Sequence, residues 1–289
     1  MSAPDRREPE ARSATRRGRR VLAAFEPATA SAAAISLAVD IASSLGADLV
    51  AVFVEDEQML GVATLSAARE VRMLGGAAVQ LDRGRIEREV HGLEARARRQ
   101  LGEQAAARGV RWTFRVVRGS VPVEVAAAAA AEQADLVIVE TSTRPLASGL
   151  RLRSQARSTV AHTAQPVMLV PPREDSSRGV AAVWDLDDEV SRNVVRTAAT
   201  LAHTSGTELR VFAAEPTEAT RRGAEPVIAS TDHALVSWWP LPHDGSSAVA
   251  RLLRTMSGTL VIGARSAILL APDAWGEIER ATCRVVVVR

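Results

Sequence analysis

The sequence predicts an α/β protein built from two doubly wound parallel sheets in tandem, and three observations carry that reading. Short apolar runs alternate with amphipathic segments of helical period. Glycines stand where several of those helical segments stop. After residue 178 the order of strand, helix and strand begins again, an internal repeat of about 110–150 residues. With 289 residues and 47% apolar composition the chain has ample material for a buried core.

In chain order, Arg20 to Phe25 is a short apolar run, followed by an alanine-rich helix from Ser31 to Leu45 that Gly46 stops. Asp48 to Val54 is a second strand. An irregular stretch with Gly61, Gly75 and Gly76 leads to a long helix, Val79 to Arg108, faced with arginine and glutamate and ended by Gly109. Strand Arg111 to Val117, helix Val121 to Glu132, strand Asp135 to Val139, helix Ser154 to Thr163 and strand Val167 to Val170 complete the first unit. Proline, serine and charge over 173–178 read as a linker between units at 20–172 and 179–289. The second unit repeats the order with strand Val180 to Trp184, helix Asp188 to His203 and strand Glu208 to Ala213. It is shortened: Thr217 to Ile228, interrupted by Gly223 and Pro226, stands where the first unit has its long helix. Strand Ala234 to Trp239, helix Ser246 to Met256, strand Thr259 to Ile262, a brief helix from Trp275 to Arg280 and strand Arg284 to Val288 finish it.

All 36 basic residues are arginine, against 34 acids, and tyrosine and lysine are absent. So few groups titrate between histidine and arginine that a pI of 9.7 accompanies a formal charge of only +2. Seven of the arginines lie in residues 1–20 with Asp5, Glu8 and Glu10, which leaves the remainder slightly acidic. Residues 1–19 therefore read as a disordered, solvated tail, and the body as no specific nucleic-acid binder. With one cysteine, Cys283, in a buried-strand pattern, and no signal peptide or membrane-length apolar run, the expectation is a cytoplasmic protein with an inert thiol and no membrane association. The five histidines show no metal-ligand spacing, and no G-x-S-x-G elbow supports acyl transfer. Trp238-Trp239-Pro240 is unusual where aromatics make up 3% of the chain; one ring is expected in the core and the other at an interface.

Five segments together resemble the universal stress protein (UspA-like) family in its tandem form. They are Val21-Leu22-Ala23-Ala24-Phe25-Glu26, Arg118-Gly119-Ser120-Val121-Pro122, Ala134 to Val139 with Thr163 to Val170, Val183-Trp184-Asp185, and Ala281 to Val286. The resemblance implies two Rossmann-like domains and a stress-response role. In nucleotide-binding members a loop of form G-x2-G-x9-G-[ST] cradles phosphate on bare amides. Laid on this chain, its glycine places hold Glu140, Thr143 and Arg153, and only Ser154 remains. The family's adenine-side acid is here Glu26, with Val54 at the end of the second strand.

Two functional readings follow. One is a non-catalytic regulatory or scaffold protein with an unknown protein partner and no cofactor. The alternative is a sensor holding ATP or AMP through Glu26, Val54, Arg144, Arg151, Arg153 and Ser154, guanidinium groups replacing the glycine amides. The plainer reading of the loop arginines, with Arg157, is a solvated helix start paired to acids such as Glu140. The second unit keeps Gly263 and Asp185, but its loop to Ala271 is too short to wrap a triphosphate. The apolar final strands, Val167 to Val170 and Val285 to Val288, are expected to pair antiparallel, either within the chain or in a homodimer.

Overall fold

In the computed structural model of the chain, the structure describes residues 18–27, 29–57, 69–71, 78–80, 83–141, 155–171, 179–186, 188–231, 235–242, 245–256 and 258–289. The first half carries β1 (Arg20–Phe25), α1 (Ala32–Ser44), β2 (Asp48–Asp56), a small hairpin of β3 (Arg69–Val71) and β4 (Ala78–Gln80), α2 (Arg83–Arg108), β5 (Trp112–Gly119), α3 (Val121–Glu132), β6 (Leu136–Glu140), α4 (Ala156–His162) and β7 (Val167–Val170). The second carries β8 (Val180–Trp184), α5 (Glu189–Ser205), β9 (Leu209–Ala213), α6 (Glu218–Ala229), β10 (Val236–Pro240), α7 (Gly245–Thr255), β11 (Thr259–Gly263), α8 (Ala267–Leu270), α9 (Ala274–Arg280) and β12 (Arg284–Val288).

Ten strands form one sheet in the order β10-β9-β8-β11-β12-β7-β6-β1-β2-β5. Every neighbouring pair is parallel except β12 with β7, where Val285, Val286 and Val287 face Leu169, Met168 and Val167 in antiparallel register. Each half thus repeats one strand order, and the halves are related by an approximate twofold axis through that seam. Both final strands have neighbours on each side, so neither is an open edge, and the outermost strands are β5 and β10.

Strands buried on both faces explain the unbroken apolar runs, since a parallel sheet covered by helices offers no wet side. One face packs under α1, α2, α5 and α6, with Ile35, Leu101, Val194 and Val227 in its core. The other packs under α3, α4 and α7 to α9, with Val125, Val160, Leu252 and Ile278. Ser31, Asp188 and Thr217 cap α1, α5 and α6 by accepting from backbone amides. Where β8 and β11 begin, Gly258 has a φ of +113°, and a Cβ there would stand 2.0 Å from the Gly179 carbonyl oxygen, so only glycine fits this crossing.

The interrupted stretch after β9 is a complete helix, α6. Pro226 removes one backbone bond toward Arg222, but both residues are exposed, and the burial of Ala224, Val227 and Ile228 holds the segment. The β3–β4 hairpin and the four-residue α8 had no periodic signal long enough to reveal them. Residues 1–17 and the expected linker 173–178 lie outside the described residues.

Candidate functional site

In an open α/β sheet the ligand position is the crevice beyond the carboxyl ends of the strands, where strand order reverses. In the first half that point lies between β1 and β6, and three buried carboxyl groups gather there. Glu26 follows β1, Asp56 ends β2 and Glu140 ends β6; none is more than 4% exposed. The Ser31 hydroxyl, at the N-terminus of α1, donates to Glu140 Oε2 at 3.1 Å, and Gln155 Nε2 donates to Asp56 Oδ2 at 2.8 Å. The Glu26 backbone is tied into a turn, its N–H donating to Thr29 Oγ1 and its carbonyl accepting from the Thr29 and Ala30 amides.

Its side chain is different: Glu26 Oε2 is buried with no hydrogen-bond partner among the described residues. Burial first, then the neighbouring charges of Asp56 and Glu140, push its carboxyl up from 4.5 to about 7. Beside the cluster, Glu55 is satisfied by Arg118 at 2.9 and 3.1 Å and lies 3.8 Å from His91 Nε2. Among the described residues no group of three or more His, Cys, Asp or Glu is arranged to hold a metal ion.

Glu26 and Val54 therefore stand at the crevice, but the Val54 side chain is fully buried in the core beneath β2, leaving only its backbone for a ligand. Arg144, Arg151, Arg153 and Ser154 lie outside the described residues. Arg157, grouped with them in the sequence, places its guanidinium over Trp275 of the second half, 5.7 Å from the ring centroid. Asp56 and Gln155 were missed in the sequence, although an acidic pair directly after a buried strand was a visible signal for Asp56.

The equivalent point in the second half is closed from within. Asp185, directly after β8, lies against the start of α8, where the Ser266 hydroxyl and the Ala267 amide favour its charged form. Burial raises its carboxyl above the ordinary range, and those two donor groups oppose the rise. Gly263, expected as a remnant of a phosphate loop, is a packing residue: a Cβ there would meet Val190 Cγ1 at 3.0 Å. A shallow cavity of about 430 Å³ remains beside Trp184, Asp185 and Glu215. Cys283 is buried and its thiol is pushed up to about 11 by that burial, as an inert core thiol should be.

Two halves of one strand order around an antiparallel seam define a tandem, doubly wound α/β protein. The model of the Universal stress protein family matches residues 18–171, more than half of the chain, and the protein belongs to that family. It is similar in fold to a universal stress protein from Archaeoglobus fulgidus DSM 4304, at TM-score 0.61 and 15% identity over 93% of this chain and 96% of that one. It is likewise similar to a functionally unknown protein from Pseudomonas aeruginosa PAO1, at TM-score 0.59 and 16% identity over 94% and 92%. No curated protein sequence matches the chain. No described helix is long and apolar enough to cross a membrane.

Proposed function

We infer that this universal stress protein is a non-catalytic regulatory or scaffold member acting through protein contacts in the cytoplasm, with units at 20–172 and 179–289. The observation that carries the reading is Glu140. At the strand end where a phosphate loop would begin with a bare glycine, the chain buries a carboxylate within the field of two more. A polyphosphate entering there meets like charge at low dielectric, which costs several kcal/mol on the order of Coulomb's law at short range.

A second reading, an adenine-nucleotide sensor, is favoured by one observation: a Glu26 carboxyl that titrates near 7 can donate a hydrogen bond to a base at neutral pH. In that reading Arg144, Arg151 and Arg153 beside Ser154 hold the phosphates. Calorimetry of the full chain with ATP and with AMP separates the two. The scaffold reading expects no binding by either nucleotide. Micromolar binding of ATP that Arg153→Gly abolishes would replace it with the sensor.

A further inference from the structure

The two outer edges of the sheet are guarded very differently. β5 is flanked by Arg111, Arg115 and Arg118, held by Asp48, Glu132 and Glu55 respectively. Charges of this kind on an edge strand keep a second strand from adding. β10, the corresponding strand of the second half, reads Val-Ser-Trp-Trp-Pro and has no charge. Trp239 is 48% exposed and the preceding Leu235 64%.

The backbone of β10 shows what its edge offers. The Leu235 carbonyl accepts from Leu209 and the Leu241 amide donates to Ala213, so odd-numbered residues turn toward β9. By strand alternation Val236, Trp238 and Pro240 turn their backbone groups outward. On one face of this edge, α6 and β10 bound a cavity of about 430 Å³ lined by Glu218, Arg221, Glu225, Ile228 and Trp238. Glu218, Arg221 and Glu225 are exposed, and their signs alternate along the helix.

We propose that β10 is a self-association edge: it pairs antiparallel with β10 of a second copy of this chain about a twofold axis at Trp238. In that register the two Trp238 residues exchange both backbone bonds, and each Val236 amide meets the Pro240 carbonyl of the other copy, about four bonds in all. Pro240 lacks only a donor at the end of the ladder. The alternating row on α6 is self-complementary, because reversing it sets Arg221 of one copy beside a glutamate of the other. β5 is unsuited to the same role, since its arginines would face their own copies. This goes beyond the proposed function and holds whether or not the first half takes a nucleotide.

Sedimentation equilibrium of the full chain across a wide concentration range tests it, with thermal unfolding as a check on folding. The expected result is a reversible dimer that Trp239→Lys, a change at an exposed ring, converts to monomer. Arg221→Glu should weaken the dimer about tenfold, about 1.4 kcal/mol, and adding Glu225→Arg should restore it. Val116→Lys on β5 should leave it unchanged. A monomer at every concentration, a dimer indifferent to Trp239→Lys and Arg221→Glu, or one lost only with Val116→Lys would each overturn the proposal.

Discussion

The two halves place equivalent residues at equivalent stations and resolve them in opposite ways. An acid follows the first strand of each half, Glu26 after β1 and Asp185 after β8, and a capping side chain opens the next helix, Ser31 or Asp188. At the end of the fourth large strand they diverge: Glu140 in one, Gly263 in the other. Gly263 lets α5 approach, and the start of the short α8 then brings Ser266 and Ala267 to Asp185, where they favour its charged form. Glu140 instead takes the Ser31 hydroxyl and adds a third charge beside Glu26, whose Oε2 has no partner among the described residues. Both carboxyls are raised, but at Asp185 two donors oppose burial and Asp188, whereas at Glu26 burial and two neighbouring acids all act in one direction, so the first crevice holds the larger strain that a proton or ligand could relieve.

The largest test transplants one solution into the other. Gly263→Glu would drive a Cβ to 3.0 Å from Val190 Cγ1 and bury a carboxylate in the half whose helix cap is Asp188 instead of Ser31. Overpacking with an unpaired buried charge should destabilise the protein by about 3–5 kcal/mol, read from urea unfolding. A loss below about 1 kcal/mol would mean that the second crevice is as accommodating as the first.

Next is the pH dependence centred on Glu26. Below about 4.5 the folded and unfolded chains both hold its proton, and the group contributes no difference. Between about 4.5 and 7 the folded chain keeps a proton that the unfolded chain loses, so stability falls as pH rises, by about 3 kcal/mol once both have ionised. Glu26→Gln should remove this loss, making the variant more stable than the parent near pH 8, with the gap closing toward pH 4. A gap that does not change with pH would show that Glu26 is not held in this field.

The strands and most helices were legible in the sequence because each is a run of apolar residues closed by a recognisable stop, as α5 is by Gly206 with its φ of +63°. The seam was legible as well, from two apolar final strands that needed cover. The carboxylate cluster was only half legible. Glu26 and Glu140 stood at positions the family resemblance singled out, whereas Asp56 joins them only because β1 lies between β2 and β6 in the sheet. That adjacency depends on strand order in space, which periodicity along the chain does not encode. Ser266 was hidden for a similar reason: a single turn of helix, too short to have a period, carries it to Asp185.

The smallest expected effect is at Asp185. Asparagine keeps an acceptor oxygen for the Ser266 hydroxyl and the Ala267 amide, so neither donor is left unsatisfied. It removes the burial penalty and the repulsion from Asp188, while weakening two hydrogen bonds that the charge had strengthened. These contributions oppose one another, and Asp185→Asn should change stability by less than about 1 kcal/mol. Because the Asp185 carboxyl is also raised, the sign of its linkage matches that of Glu26: whatever stability it contributes is present at low pH and falls as pH rises past its unfolded value. The amplitude should be the smaller of the two, since the Ser266 hydroxyl and the Ala267 amide oppose the rise at Asp185, whereas burial, Asp56 and Glu140 all raise Glu26. Unfolding of Asp185→Asn and Glu26→Gln side by side across the same pH range measures both amplitudes. Equal amplitudes would remove the distinction between the two crevices.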